Sequence, residues 1–313
     1  MATLFRTYDQ VGKKEDVSDV ISNISPTKTP FQSLVGGDTA NNTVYQWQED
    51  SLTAVADNAA VEGADGTDAD LQPTVMRANV TQIFTKTVRI SATADKVSTY
   101  GRAKETAYQL AKKSAELKRE FEYHLVGKAQ DAVVGSSATA RRFGNAFGKD
   151  MNAVQIIDAS VTTDATVSAA VQPLAESHLL SVNQKLYEQG GEANFIMIKP
   201  ADSLLLATFA NAAGRSRVIN DGNRTVVNAV DLYVSPFGEQ KVLLNRFVKA
   251  TEALVFDPKD WKIVTLRPWT RELLAKTGDS QRHFIVGEFS LKHLNYKATG
   301  RITGLAGTNT NVV

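Results

Sequence analysis

The chain offers few side chains that could perform catalysis or hold a metal ion. Its 313 residues include no cysteine, which excludes a thiol nucleophile, a disulfide and thiolate metal ligands. The usual zinc-protease pattern His-Glu-x-x-His is absent, so we expect the histidines to be solvated or satisfied in a core. The four histidines are His124, His178, His283 and His293. The sequence therefore predicts no metal site and no cofactor.

One short stretch has a partial likeness to a phosphate-binding loop. Gly144 to Asp150 reads GNAFGKD, in which a glycine and a lysine follow an earlier glycine. It has one residue too few between the glycines, and Asp150 stands where the hydroxyl that binds Mg²⁺ belongs. There is also no Gly-x-Ser-x-Gly elbow and no dinucleotide-binding glycine pattern. A hydrolase or nucleotide-binding enzyme is therefore only a distant alternative.

The stretch from Glu49 to Asp70 carries acidic residues and no basic ones, among many Ala, Gly and Thr. Its seven acidic residues are Glu49, Asp50, Asp57, Glu62, Asp65, Asp68 and Asp70. Such a composition cannot bury much apolar surface on itself. Two interpretations remain open: a mobile acidic surface loop, or a long hairpin that projects and becomes ordered on a neighbouring molecule.

The opposite charge is concentrated later in the chain, although the formal net charge is only +1. Between Lys199 and Arg301 there are 16 Lys and Arg against 10 Asp and Glu, and Arg215, Arg217 and Arg224 share one loop. No aromatic residues are interleaved there, as a single-strand nucleic-acid surface would require. The alternatives are ordinary solvated charge, or a basic surface that receives the acidic stretch of an adjacent copy.

A long amphipathic segment, Tyr100 to Gly135, must position these charged stretches. Its apolar residues recur at spacings of three, four or seven, the period of one helix face. They are Ala103, Ala107, Leu110, Leu117, Phe121, Leu125, Ala129 and Ala132. This pattern predicts a spine helix that lies against another element.

The segments before the spine are predicted to be extended. Met1 to Gly37 suggests an arm on another surface, the alternative being a helix packed on its own domain. Tyr45 and Trp47 are expected on one face of a strand, and Asn79 to Ser91 is rich in β-branched residues and predicts the return strand.

The segments after the spine predict an α/β module and then a β-rich region. Helices are expected after Pro173 and from Pro200, with the apolar strand Phe195 to Ile198 between them. Asp257 to Asp260 is expected to form the proline turn of a hairpin. Phe284 to Leu294 is predicted to return late and complete the sheet that packs on the spine.

Several motifs, in their order along nearly the whole chain, resemble the major capsid protein of tailed bacteriophages, in particular a podovirus-associated major head protein family. The motifs are Val17-Ser18-Asp19-Val20-Ile21, Ser25-Pro26, Thr29-Pro30-Phe31, Tyr45-Gln46-Trp47 with Asp50 and Leu52, Tyr233-Val234-Ser235-Pro236-Phe237-Gly238, Asn245-Arg246, Leu266-Arg267-Pro268, and Glu272-Leu273-Leu274-Ala275-Lys276-Thr277-Gly278-Asp279.

The resemblance implies an α+β fold, the shell fold shared by tailed phages and herpesviruses. Its parts would be an N-terminal arm (1–38), an extended β-hairpin loop (39–79), a peripheral domain with the spine helix (80–171, helix about 100–135) and an α/β axial domain (172–246). Return strands (247–313) would complete both domains. The implied function is not enzymatic: copies self-assemble into the icosahedral head around packaged double-stranded DNA. Another assembling phage protein, of a tube or beside the portal, is the main alternative.

The resemblance also implies partners and a location. The partners would be further copies in pentamers and hexamers, a separate scaffolding protein, the portal and a cement protein, with only weak, non-specific contact to DNA and none to membrane. The protein would belong to the virion and assemble in the host cytoplasm. A lysine crosslink from the loop is excluded, because no Lys lies between Lys28 and Lys86. We expect inter-subunit contacts at the seven acidic residues above and at Tyr45, Trp47, Phe31, Arg215, Arg217 and Arg224.

Overall fold

The computed structural model describes residues 25, 27–63, 65–66, 68–69, 71–98, 104–148, 155–159, 171–212 and 232–307. Within these ranges no helix is both long and apolar enough to cross a membrane. The helices are α1 (Pro30–Leu34), α2 (Ala92–Lys96), α3 (Glu105–Val126), α4 (Glu176–Glu188) and α5 (Pro200–Ala212). The strands are β1 (Gly36–Thr39), β2 (Val44–Glu49), β3 (Val75–Val80), β4 (Gln82–Ser91), β5 (Gln155–Asp158), β6 (Phe195–Ile198), β7 (Leu232–Ser235), β8 (Gly238–Leu244), β9 (Ala253–Phe256), β10 (Trp261–Leu274), β11 (Ser280–His293) and β12 (Gly300–Thr303).

The spine helix α3 packs on a four-stranded sheet of order β1-β10-β11-β4. Along β4, buried Phe84, Val88 and Ile90 alternate with exposed residues, as expected of a strand with one covered face. An aromatic cluster fills the space between sheet and helix: Phe121 of α3 lies 5.0 Å from Phe289 and 5.2 Å from Phe84, centroid to centroid. The late strand predicted at Phe284 to Leu294 is β11, and it lies in this sheet as expected.

The spine helix is shorter than the segment predicted for it. It ends at Val126, whereas residues 127–135 have no helical structure, and residues 100–103 lie outside the described ranges. A side chain at Gly127 would meet the Tyr123 ring at 2.0 Å, so only glycine fits at this exit. The following segment is held by buried amides: Gln130 donates to the Phe143 carbonyl, and Asn145 donates to the His124 carbonyl.

A second sheet has six strands in the order β5-β12-β9-β6-β8-β7. Helix α4 covers it with Leu179, Val182 and Leu186, all buried. At Gly300 of β12, an added Cβ atom would lie 2.3 Å from the Val182 side chain, so helix and strand are in direct contact there. The predicted α/β module therefore includes strands from both earlier and later in the chain.

Two strand pairings differ from the predictions. Asp257 to Asp260 does not close a hairpin, because β9 pairs within the six-stranded sheet and β10 within the four-stranded one. This short 3-10 turn carries the chain from one sheet to the other. The return strand of the acidic stretch is β3, not the whole of 79–91, because the chain changes sheets at Thr81.

One buried carboxylate joins three distant parts of the chain. Glu122 of α3 accepts hydrogen bonds from the Phe31 N–H at 2.8 Å, the Gln32 N–H at 3.1 Å and the Asn245 amide at 2.7 Å. The first two donors lie in the first turn of α1, where N–H groups have no carbonyl partner within the helix. Burial raises the pKa of Glu122, and the three donors oppose this rise by favouring the charged form.

We expect Glu122→Gln to lower the free energy of unfolding of the free subunit by about 1–3 kcal/mol. The amide oxygen can accept from two donors, but the amide nitrogen would face the third N–H, which would lose its partner. Urea unfolding followed by tryptophan fluorescence measures the difference.

Glu120→Gln is the matched control, because Glu120 lies on the same helix, is half exposed and pairs with Lys86. Loss of the Glu120 charge is expected to lower the free energy of unfolding by less than about 1 kcal/mol. Equal unfolding midpoints for the two variants would contradict the role assigned to Glu122.

Candidate functional site

Among the described residues, the most exposed apolar side chains lie in the acidic stretch between β2 and β3. These strands form an antiparallel hairpin, with Val44 opposite Val80 and Glu49 opposite Val75. Leu52 is 98% exposed and Val55 is fully exposed, and both residues belong to a segment without regular secondary structure. Apolar side chains in such a segment gain nothing from exposure to water, and Val61 and Leu71 of the same segment are also more than 80% exposed. We call residues 50–74 the acidic loop.

The root of this hairpin is fastened to the body. Asn79 is fully buried, and its amide donates to the Gly144 carbonyl at 2.9 Å and the Leu291 carbonyl at 2.6 Å. Arg77 donates to Glu49 at 2.9 Å across the hairpin and lies 4.5 Å from the centre of the Tyr296 ring. The root is therefore fixed, while the acidic loop extends beyond it.

A polar triad secures the side of the hairpin next to β1. The Tyr45 hydroxyl donates to Asp38 at 2.9 Å, and Lys292 donates to the same carboxylate at 3.3 Å. Burial acts to raise the pKa of Asp38, but the Thr39 N–H, the hydroxyl and the ammonium outweigh it and hold this pKa below its usual value. The Tyr45 and Trp47 rings lie 6.0 Å apart, as expected for residues on one strand face.

Of the thirteen predicted contact residues, five are exposed, three are engaged within the chain, four lie outside the described residues, and Phe31 is treated below. Asp50, Asp57, Glu62, Asp65 and Asp68 are exposed on the acidic loop. Three others are engaged within their own chain: Tyr45 in the triad, Glu49 with Arg77, and buried Trp47 at the hairpin root. Asp70, Arg215, Arg217 and Arg224 lie outside the described residues.

The prediction for Phe31 is wrong. Its side chain is fully buried, 5.6 Å from the Phe256 ring and 6.1 Å from the Trp261 ring, centroid to centroid. The residue lies in α1, and the Glu122 carboxylate holds its N–H inside the fold. It is therefore an anchor of the chain's own core and presents no surface to another subunit.

Sequence reasoning missed the buried ionic residues that organise the body. Glu288 of β11 accepts from Thr81 at 2.7 Å, Arg141 at 2.6 Å and Arg267 at 3.0 Å. Lys199 is buried and donates to the carbonyls of Ala250 and Ala306, both at 2.6 Å. The one feature of the sequence that could have indicated Glu288 is that it is a charged residue within an apolar strand. Its partners could not be predicted, because they are far away in sequence.

The segment with a partial likeness to a phosphate loop is part of the core. The Gly144 N–H donates to the side-chain oxygen of Asn79, and the Phe147 N–H donates to the side-chain oxygen of Asn145. The N–H groups of Asn145, Ala146 and Gly148 go to carbonyl oxygens of the chain itself. A phosphate cradle needs free N–H groups that point at the ligand, so the described part of this loop, 144–148, cannot act as one.

The described residues offer no metal site. The described ranges contain no group of three His, Asp or Glu residues that could hold a metal ion. The recess of 210 Å³ at the hairpin root is lined by groups already in use, including Glu49, Arg77 and Tyr296. Among the described residues, the acidic loop carries the most exposed apolar side chains.

One protein family matches almost the whole chain. The model of the family described as SU10 major capsid protein matches residues 3–306. The major capsid protein of Escherichia phage Phieco32 is 33% identical over an alignment 344 residues long. The alignment covers 97% of this chain and 98% of that protein.

Solved structures show the same fold at lower identity. The capsid of the cyanophage P-SCSP1u aligns with a TM-score of 0.62 and 15% identity, covering 95% of this chain and 93% of that one. The capsid of a native GTA particle aligns with a TM-score of 0.61 and 12% identity, covering 94% and 96%. The match to the family model over almost the full length, together with the Phieco32 relative, shows that this chain belongs to the SU10 major capsid protein family.

Proposed function

We propose that copies of this major capsid protein form a closed phage head in which the acidic loop of each copy lies on its neighbour. The observation that carries the proposal is the acidic loop itself, which exposes Leu52 and Val55 almost completely while its root is locked in place. A fixed root and an unpartnered extension suit a contact that forms only between copies. The protein acts by binding and not by turnover.

The reach of the loop supports contact with a neighbour. Residues 50–74 can extend about 12 residues outward on each limb, or about 40 Å at ~3.3 Å per residue. That is more than the radius of gyration of a domain of this size, which is roughly 20 Å. A loop of such length can cross a seam between two subunits.

Charge supports the same docking. The sequence from Glu49 to Met76 contains no Lys or Arg, whereas Lys199 to Arg301 is basic in excess. One patch then meets a different patch on the next copy, as in the heterologous contacts that build rings and shells. Arg215, Arg217 and Arg224 are proposed as members of the receiving surface.

The two sheets are proposed to play different parts in the shell. The four-stranded sheet with α3 would form the peripheral part of each subunit, and the six-stranded sheet with α4 and α5 the part near the capsomer axis. A separate scaffolding protein, the portal and a cement protein are proposed as partners, on the basis of the family resemblance. The near-neutral net charge suits an inner surface that contacts packaged DNA weakly.

Electron microscopy of the purified protein, expressed together with its scaffolding protein, tests this function. Closed isometric shells are the expected product. Open tubes or isolated rings would instead favour a tube or portal-associated component.

Neutralising the acidic loop is expected to weaken assembly most at low salt. The quadruple variant Asp57→Asn, Glu62→Gln, Asp65→Asn, Asp68→Asn removes four exposed charges without changing side-chain size. Opposite charges attract over about 10 Å at ~0.1 M salt and over less at higher salt, so the assembly defect should shrink as salt is added. Light scattering of assembling subunits between low and high ionic strength measures it.

A control quadruple changes the net charge equally at exposed acidic residues elsewhere: Asp158→Asn, Glu188→Gln, Glu192→Gln and Glu239→Gln. It should assemble as the unmodified protein does. If both quadruples behave alike at every salt concentration, net charge and not docking of the loop is responsible.

Proteolysis distinguishes a covered loop from a free one. Trypsin has no site between Glu49 and Met76, so a protease that cleaves after glutamate is needed, and Glu62 gives it an exposed site. We expect rapid cleavage at Glu62 in free subunits and strong protection in shells. Glu62→Gln removes the site and identifies the fragment on a gel. Equal cleavage rates in both states would mean that the loop is uncovered in the shell.

A further inference from the structure

The outer edge of β10 is left without a strand partner along more than half its length. On one side β11 pairs with β10 from Trp261 to Leu274. On the other side β1 covers only Lys262 to Thr265. Among the described residues, no backbone hydrogen bond reaches residues 267–274 from that second side. We call residues 267–274 of β10 the free edge.

The features that protect a sheet edge are unevenly placed along the free edge. Register shifts occur between Thr265 and Thr270, and Pro268 removes one donor, so the protection lies at the start of the edge. Beyond it, Thr270 to Leu274 pair regularly with β11 and keep all their N–H groups. Leu273 is 66% exposed. A regular, partly apolar edge of this kind is a template for a further strand.

The acidic loop contains a segment with the properties of such a strand. Leu52 to Ala56 reads LTAVA, with two β-branched residues and neither glycine nor proline. The near-complete exposure of Leu52 and Val55 means that this segment does not touch β10 of its own chain. Asp50 and Asp57 flank it, and the free edge carries the exposed Arg271 as an opposite charge, with one exposed acidic residue, Glu272, next to it.

We propose that, in the assembled shell, Leu52 to Ala56 of a second copy adds to the free edge of β10 as a fifth strand. Main-chain hydrogen bonds would then supply much of the contact, and exposed Leu273 would be covered by the apolar side chains of the added strand. This inference rests on the proposed docking of the loop and specifies its receptor and its mode.

The absence of cysteine makes a direct test possible by disulfide crosslinking. Five loop variants (Leu52→Cys, Thr53→Cys, Ala54→Cys, Val55→Cys and Ala56→Cys) are each co-assembled with subunits that carry Leu273→Cys. Subunits with Thr87→Cys are the matched control, because Thr87 is also exposed but lies on β4, at the opposite edge of the sheet. Shells are oxidised briefly and analysed on non-reducing gels.

The expected result is a disulfide-linked dimer with Leu273→Cys in shells and not in free subunits. Alternate loop positions should crosslink several-fold better than those between them, because successive strand residues point to opposite faces. Hydrogen exchange of unmodified protein provides a second measurement: among residues 269–274, the amides that do not bond to β11 should exchange at least about tenfold more slowly in shells than in free subunits.

The outcomes separate this inference from the proposed function. If shells form but the free-edge amides exchange as in subunits, the strand addition is wrong although the head-forming role stands. Crosslinks without a two-residue period, crosslinks equally strong to Thr87→Cys, or dimers formed by Leu273→Cys alone would also overturn it. If the cysteine variants do not assemble, exchange on the unmodified shells still decides. Failure of the unmodified protein to form shells would instead contradict the proposed function.

Discussion

Buried carboxylates hold together elements that the chain order keeps apart. Glu122 ties the first described helix to the spine and to the turn after β8, a link across more than ninety residues in each direction. Glu288 ties β11 to the segment after the spine and to the β3–β4 junction. Each carboxylate accepts three hydrogen bonds, and these bonds offset the free-energy cost of burying its charge. Because these bonds are directional, they fix the relative positions of the elements as apolar packing alone would not.

Among the described residues, those of the acidic loop and of the free edge of β10 are exposed. The hairpin root is locked by Asn79, yet the acidic loop beyond it exposes apolar side chains, and the free edge of β10 exposes backbone groups. A monomer of independent function would lose stability and solubility by keeping both features. We propose that, among copies of the protein in the head, each feature forms half of a contact.

Local patterns predicted the elements better than their partners. The spine helix, the helices after Pro173 and Pro200 and the late strand β11 followed from periodicity and proline positions in short windows. The sheet to which β9 and β10 belong could not be predicted, because pairing depends on contacts distant in sequence. Glu120 and Glu122 illustrate the limit: both are acidic residues two positions apart in one helix, yet one is half exposed and the other fully buried. Phe31 failed for a related reason, since a Pro-Phe pair in an apolar arm does not reveal which surface receives it.

The contact at Gly300 has a mechanical consequence. Val182 and Leu186 of α4 rest directly on the backbone of β12, with no side chain between them that could rearrange. A helix seated in this way cannot slide or tilt without steric overlap, so the six-stranded unit should respond to load as a stiff block. A change in the relative position of the two sheets would therefore have to occur outside this block, at the short turn from Asp257 to Asp260 where the chain crosses between them.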